Sequence, residues 1–183
     1  MSSALVTSRL KLRRWKESDL IPFRVMNADP RMMEFYPGTL TDAQSDDVVK
    51  RAEKHFEAHG FGLFAVEVLE TGEFIGFVGL QNVPFEAAFT PAIEIGWRIA
   101  FEKWNQGYAT EAAQVVLEYA RQELKLPEVI AMTYAGNHRS RRVMEKLGMI
   151  YDPTADFENP HPSLVDSWLK PHVLYRTSWE AKN

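Results

Sequence analysis

The chain has 183 residues, 45% hydrophobic, 12% aromatic and 25% charged, ordinary fractions for a globular domain of this length. It contains no cysteine, which excludes a disulfide framework, thiolate zinc sites, iron–sulfur clusters and a cysteine-acyl intermediate. With 21 basic and 25 acidic residues its formal net charge is -4, a field that gives no overall pull toward nucleic acid or anionic lipid.

The longest apolar stretch, residues 74–80, is far short of the roughly 18 residues of a membrane span. The N-terminus lacks the apolar core of a signal peptide. The expectation is a single soluble, cytoplasmic domain over residues 1–183.

Residues 9–15 alternate apolar Leu10 and Leu12 with basic Lys11 and Arg13, the pattern of a half-buried strand. Residues 17–27 predict a short helix, with Pro22 tolerable only near its start. Residues 33–40, containing Tyr36-Pro37-Gly38, read as a loop. Thr41 is placed to cap a helix running to about His59, which Gly60 ends. Residues 61–69 and 74–83 read as two strands of a hairpin around Glu70-Thr71-Gly72-Glu73. A loop with Pro84 and Pro91 leads to a third strand, 92–100. Residues 108–124 form an amphipathic helix with Ala109, Ala112, Val116 and Tyr119 on one face. A strand at 129–134, a helix at 139–147 stopped by Gly148, a long irregular arm at 152–171 and a last strand at 172–179 complete the chain. This order predicts an α+β fold whose mainly antiparallel sheet turns parallel around the helix beginning near Tyr108.

Two segments carry chemistry. In the first, the strand at 93–99 passes through a short loop, with Gly107 and Ala109 near its end, into a helix. Small residues let backbone approach a ligand, and the free amides of a first helical turn attract anions. The amides of residues 106–110 suit a diphosphate, although glycine also serves a plain helix entry. In the second, Asn137 follows a strand and can cap a helix that carries Arg139, Arg141, Arg142 and Lys146. That cluster reads as a solvated face, an anion site or a small nucleic-acid patch, and the net acidity argues against the last.

In combination these segments resemble the GNAT superfamily of acetyl-CoA-dependent N-acyltransferases, and most nearly its RimJ/RimL-type subgroup. The matching pieces are Thr7-Ser-Arg-Leu-Lys-Leu-Arg-Arg-Trp15, Ile93-Glu-Ile-Gly-Trp97, Trp104-Asn-Gln-Gly-Tyr-Ala-Thr-Glu-Ala112, residues 137–148 and His172-Val-Leu-Tyr-Arg176. The resemblance implies a GNAT-like mixed sheet with two splayed parallel strands, the pantetheine arm of CoA lying in the opening. It implies that Trp97, Arg98 and Ile99 pair with that arm, and that Gln106, Gly107, Tyr108, Ala109 and Thr110 hold the pyrophosphate. Asn137 would contact the pantetheine, and arginines of the second segment, Arg142 among them, would meet the 3′-phosphate. Two positions depart from the family pattern. Trp104 stands where arginine or glutamine is frequent, and Met144 stands where many members place a tyrosine acid.

Acetyl transfer to an amine needs a proton acceptor, because a lysine-like amine titrates near ~10.4 and is almost wholly protonated at neutral pH. Glu94, on the splayed strand, is the candidate base, acting directly or through water. A backbone N–H of Ile95, Gly96 or Trp97 would meet the oxyanion. The departing thiol, with a pKa near ~8.5 if cysteine is a guide, needs only a modest donor. Ser140 and Tyr175 compete for that role. Without cysteine, direct transfer in a ternary complex is the simpler route.

The acceptor is expected to be a primary amine on a protein N-terminus or a small molecule, with no nucleic acid, membrane or metal involved, and the chain a monomer or homodimer. His55 and His59 have the i, i+4 spacing of metal ligands but lack a third partner nearby. The alternative reading is a non-catalytic CoA-binding sensor or regulatory module.

Overall fold

The computed structural model describes residues 4–179. A nine-stranded sheet runs β1 (Leu5–Val6), β2 (Leu10–Arg13), β3 (Leu63–Val68), β4 (Phe74–Asn82), β5 (Ile93–Ile99), β6 (Ile130–Tyr134), β9 (Pro171–Arg176) and β7 (Ile150–Tyr151) in spatial order, with β8 (Phe157–Glu158) also against β9. All neighbours are antiparallel except β5 and β6. The expected α+β sheet, mainly antiparallel with one parallel pair at its centre, is therefore what forms.

Four helices flank it: α1 (Leu20–Ala28), α2 (Asp42–His59), α3 (Tyr108–Gln122) and α4 (His138–Lys146). Pro22 falls in the first turn of α1, where its missing N–H costs nothing. Thr41 caps α2 through a reciprocal pair: its hydroxyl accepts the Gln44 N–H, and the Gln44 side chain accepts the Thr41 N–H. Gly60 closes that helix in the left-handed conformation at φ 78°, a region open to glycine without the Cβ clash.

The two sheet faces bury different clusters. Leu10, Phe64, Val66, Val78, Leu80, Ile95 and Ile99 pack with α3 and with Met144 of α4. On the other face Leu63 and Phe77 pack with Phe23 and Met26 of α1 and Val49 and Ala52 of α2. Because side chains alternate along a strand, Ile95 and Ile99 serve the first cluster and leave Glu94, Gly96 and Arg98 to the second face. There the direct partners of Glu94 and Arg98 on β4 are Gln81 and Phe77.

Some expectations need correcting. The arm at 152–171 is not irregular throughout: it holds β8 and 3-10 turns at Pro153–Ala155 and Pro162–Leu164, and its end is the first residue of β9. Short pairings of this kind leave no periodic signal. The last strand stops at Arg176 rather than 179, β1 and β7 were not anticipated, and α3 ends at Gln122.

Candidate active site

The parallel strands β5 and β6 pair at one register position, Glu94 opposite Ile130, and diverge beyond it. The divergence leaves the gap-side backbone edge of residues 95–99 facing an opening instead of a strand. A cavity of about 1370 Å³ occupies this opening and continues over the sheet face beneath the loop at 33–40. Glu94, Gly96, Trp97, Arg98, Ile99, Gly107, Tyr108, Ala109, Thr110, Asn137, Ser140 and Arg142 all line it. Sites at the carboxyl end of diverging parallel strands follow from the geometry of α/β sheets.

The entry to α3 leaves backbone donors free. Gly107 precedes α3 at φ 82° and supplies no side-chain cap, and the first intrahelical bond from this turn is Glu111 N–H to Gly107 O. The amides of Tyr108, Ala109 and Thr110 are thus the unsatisfied donors of the helix start. The first acidic residue of the turn, Glu111, is taken up elsewhere: it accepts from Thr7 Oγ1 at 2.6 Å and from Arg9 Nε at 2.7 Å. The segment Thr7-Ser8-Arg9 therefore anchors this helix end and neutralises its carboxylate. Gln106 is the exception among the expected pyrophosphate residues. It is exposed, does not line the cavity, and its side chain donates to Glu102 O at 3.1 Å.

Glu94 is half-buried, and its Oε1 accepts from Gln81 Nε2. Burial pushes its carboxyl up to about 7, against the opposing pull of that hydrogen bond. Among the described residues Oε2 has no partner, leaving one oxygen for a ligand. A carboxylate titrating near neutrality in a cavity is suited to accept a proton.

Asn137 caps α4 by accepting the Ser140 N–H at 3.1 Å and donates its own amide to Thr133 Oγ1 at 3.1 Å. Ser140 is thereby fixed at the cavity wall, with its hydroxyl unbonded among the described residues. Tyr175 is not brought to this site. It points to the opposite sheet face, is 2% exposed, and its hydroxyl meets Arg141 Nε at 3.2 Å and Glu145 Oε1 at 3.4 Å. Alternation along β9 decides this, since His172 faces the cavity and Tyr175, three residues on, faces away.

The four cations of α4 also separate. Arg141 is drawn to Tyr175 and Ala135 O. Arg139, Arg142 and Lys146 line the cavity, and Arg139 there pairs with Glu34 and lies 4.6 Å over the Trp104 ring. Met144 is buried at 1% exposure, so the usual tyrosine position holds a core side chain. Sequence reasoning assigned no role to His172, whose Nδ1–H donates to Lys170 O at 3.1 Å while Nε2 accepts from Asn159 Nδ2 at 3.2 Å. Burial lowers its pKa, in keeping with that neutral tautomer. Its motif was visible in sequence, but the direction it faces was not.

Residues 9–150 match the family described as "Acetyltransferase (GNAT) domain". The chain belongs to the GNAT acetyltransferases. It is 33% identical over 172 residues to the uncharacterized protein YkkB of Bacillus subtilis, covering 93% of each chain. It is 30% identical over 151 residues to the uncharacterized N-acetyltransferase YnaD of the same organism, covering 79% of this chain and 81% of that one. In three dimensions it is similar to an acetyltransferase from Agrobacterium tumefaciens, with TM-score 0.81 and 27% identity over 98% of this chain and 96% of that one. This GNAT chain is an acetyl-CoA-dependent N-acetyltransferase. No helix among the described residues is long and apolar enough to cross a membrane.

Proposed function

We propose that this GNAT domain acetylates a primary amine, on a protein N-terminus or a small molecule, by direct attack within a ternary complex, in the manner of the RimJ/RimL-type subgroup. The observation that carries this reading is the Glu94 carboxyl, raised to about 7 at the closed end of the β5–β6 gap. When bound, acetyl-CoA supplies an activated thioester carbonyl. The chain supplies the rest. Glu94 takes the ammonium proton through Oε2, directly or through one water. Backbone N–H groups of residues 95–97 meet the oxyanion. The Ser140 hydroxyl donates toward the departing sulfur, while Tyr175 serves the fold. The amides of residues 107–110 and the Arg142 and Lys146 side chains hold the phosphates, and Trp97, Arg98 and Ile99 offer backbone to the pantetheine amides.

Calorimetry with acetyl-CoA, CoA and dephospho-CoA, followed by an amine panel with thiol detection, tests this. Micromolar binding that weakens without the 3′-phosphate, and thiol release with at least one primary amine, are expected. Binding without release for any amine would favour the non-catalytic sensor reading. Absence of binding would remove both.

A further inference from the structure

Arg98 is a guanidinium that the acetyl-transfer chemistry leaves unused. Its backbone lies along the gap, but its side chain turns onto the same face as Glu94 and lines the same cavity. Four residues of strand separate the two, so their Cα atoms are ~13 Å apart. Only 9% of Arg98 is exposed. Nη1 donates to Asn27 Oδ1 at 2.8 Å, and the guanidinium lies 4.2 Å from the Tyr36 ring centroid and 5.4 Å from that of Phe77. Nε is buried without a partner, and among the described residues no acceptor meets Nη2 and no carboxylate pairs with the group.

The fold treats its other buried arginine differently. Arg13, 8% exposed, gives Nη1 and Nη2 to Asp19 and Nε to Glu67. A buried cation without a counter-charge and with an orphaned donor is costly, and ring quadrupoles offset only part of that. The orphaned Nε and the free Nη2 form one edge of the guanidinium fork, the edge that takes two oxygens of a carboxylate or phosphoryl group in parallel.

We infer that the acceptor carries an anionic group as well as its amine, and that the Nε/Nη2 edge of Arg98 binds that group as the Tyr36 ring yields its place. The acceptor then lies lengthwise along β5, amine toward Glu94 and anion toward Arg98. Tyr36 sits on the loop at 33–40, half-buried at the edge of the α1–α2 cluster, with residues 37–39 exposed, so displacing its ring gives up part of that edge packing but moves no helix or strand. This inference rests on the acetyltransferase mechanism above and adds a substrate class to it.

The test uses the full chain with acetyl-CoA and thiol detection. The probes are ω-aminocarboxylates of increasing chain length, their uncharged amides, and the matching ω-aminophosphonates. At the best-fitting length the anionic amine should exceed its amide at least tenfold in kcat/KM, chiefly through KM, and the carboxylate and phosphonate arms identify which anion the fork prefers. Arg98→Gln should bring the acid-to-amide ratio near one. Asn27→Asp, which places a carboxylate on the same guanidinium without removing it, should do likewise and keeps the test alive if the first variant does not fold. Equal use of acids and amides at every length, a preference that survives both variants, or a loss in Arg98→Gln that is equal for acids and amides would each overturn the inference. So would turnover of no anionic amine by protein that binds acetyl-CoA, or loss of acetyl-CoA affinity as the sole effect of Arg98→Gln, which would give the guanidinium to the cosubstrate. Protein that does not bind acetyl-CoA would instead mark failure of the mechanism beneath it.

Discussion

Gln81 and Glu94 face each other directly across the β4–β5 ladder, and the Gln81 amide donates to the Glu94 carboxylate. The pairing aims one oxygen while burial withholds the charge until the pH approaches 7. The raised value makes the unprotonated base the minority form in acid. kcat/KM should therefore rise through an acid limb with an apparent pKa near 7, and Glu94→Gln should lose on the order of 10²–10⁴ in turnover and flatten that limb. Turnover by Glu94→Gln at the wild-type level from pH 6 to 9 would remove Glu94 from the mechanism.

The same shift makes a stability prediction of opposite sense. The folded chain keeps the Glu94 proton up to about 7, whereas the ordinary value is 4.5. The stabilising contribution of that proton is complete below 4.5 and is lost as pH rises to about 7. Its full size is on the order of 3 kcal/mol, from 1.36 kcal/mol per pKa unit. Urea unfolding at pH 5 and pH 8 should show Glu94→Gln gaining on the wild type at the higher pH.

Ser140 and Tyr175 separate cleanly as variants. Ser140→Ala should lower kcat with little change in acetyl-CoA affinity, because Asn137 caps α4 through the backbone N–H of that residue. Tyr175→Phe should retain turnover and cost about 1 kcal/mol of stability, since Arg141 loses a hydrogen-bond acceptor. A large kcat loss in Tyr175→Phe with Ser140→Ala unaffected would reverse the assignment.

The α3 entry distinguishes folding from binding. Thr110→Glu places a negative charge in the first turn, outside the hydrophobic clusters, where the helix dipole favours it by about 0.3–1 kcal/mol. A phosphate would be repelled by the same charge. The melting temperature should hold or rise while the acetyl-CoA Kd increases tenfold or more. Arg142→Gln should weaken acetyl-CoA several-fold and leave dephospho-CoA unchanged, read by calorimetry.

Arg13 and Asp19 form a doubly hydrogen-bonded pair at 2.7 and 2.9 Å, 8% and 2% exposed. Asp19 also accepts the Lys16 N–H at 2.8 Å, holding the turn before α1. Removing Asp19 leaves Arg13 paired with Glu67 but strips two charged hydrogen bonds from its buried guanidinium, so Asp19→Ala should cost about 1–3 kcal/mol in urea unfolding. The site is untouched by this pair, so turnover per folded molecule should persist.

Local pattern carried much of this. Thr41, Gly60 and Gly148 marked helix ends because caps and left-handed residues act within one turn. Alternating apolar residues marked β2, and the glycine-containing turn at 70–73 marked the β3–β4 hairpin. Gly107 marked the start of α3 and its free first-turn amides, since the orphaned amides of a helix start are a property of the backbone itself. Pro153, Pro160 and Pro162 pointed the other way, suggesting disorder of pattern where tertiary contacts in fact order β8 against β9.

By itself, then, the sequence determined the order of the longer elements, the α+β class and the position of Glu94 on a strand, which follow from short-range periodicity, and its motifs carried the resemblance to the GNAT family. Only the tertiary structure decided which side chains meet. Tyr175 and Ser140 are both candidate hydroxyls in a linear chain, but alternation along β9 sends Tyr175 to the core, whereas the first turn of α4, capped by Asn137, puts Ser140 at the cavity. Of the four neighbouring cations of α4, three line the cavity, Arg139 of them tied to Glu34, and Arg141 is held elsewhere by Ala135 and Tyr175. Arg98 gained its meaning in the same way. Whether a guanidinium has a counter-charge depends on elements brought from 71 residues away at Asn27, and no local pattern encodes that.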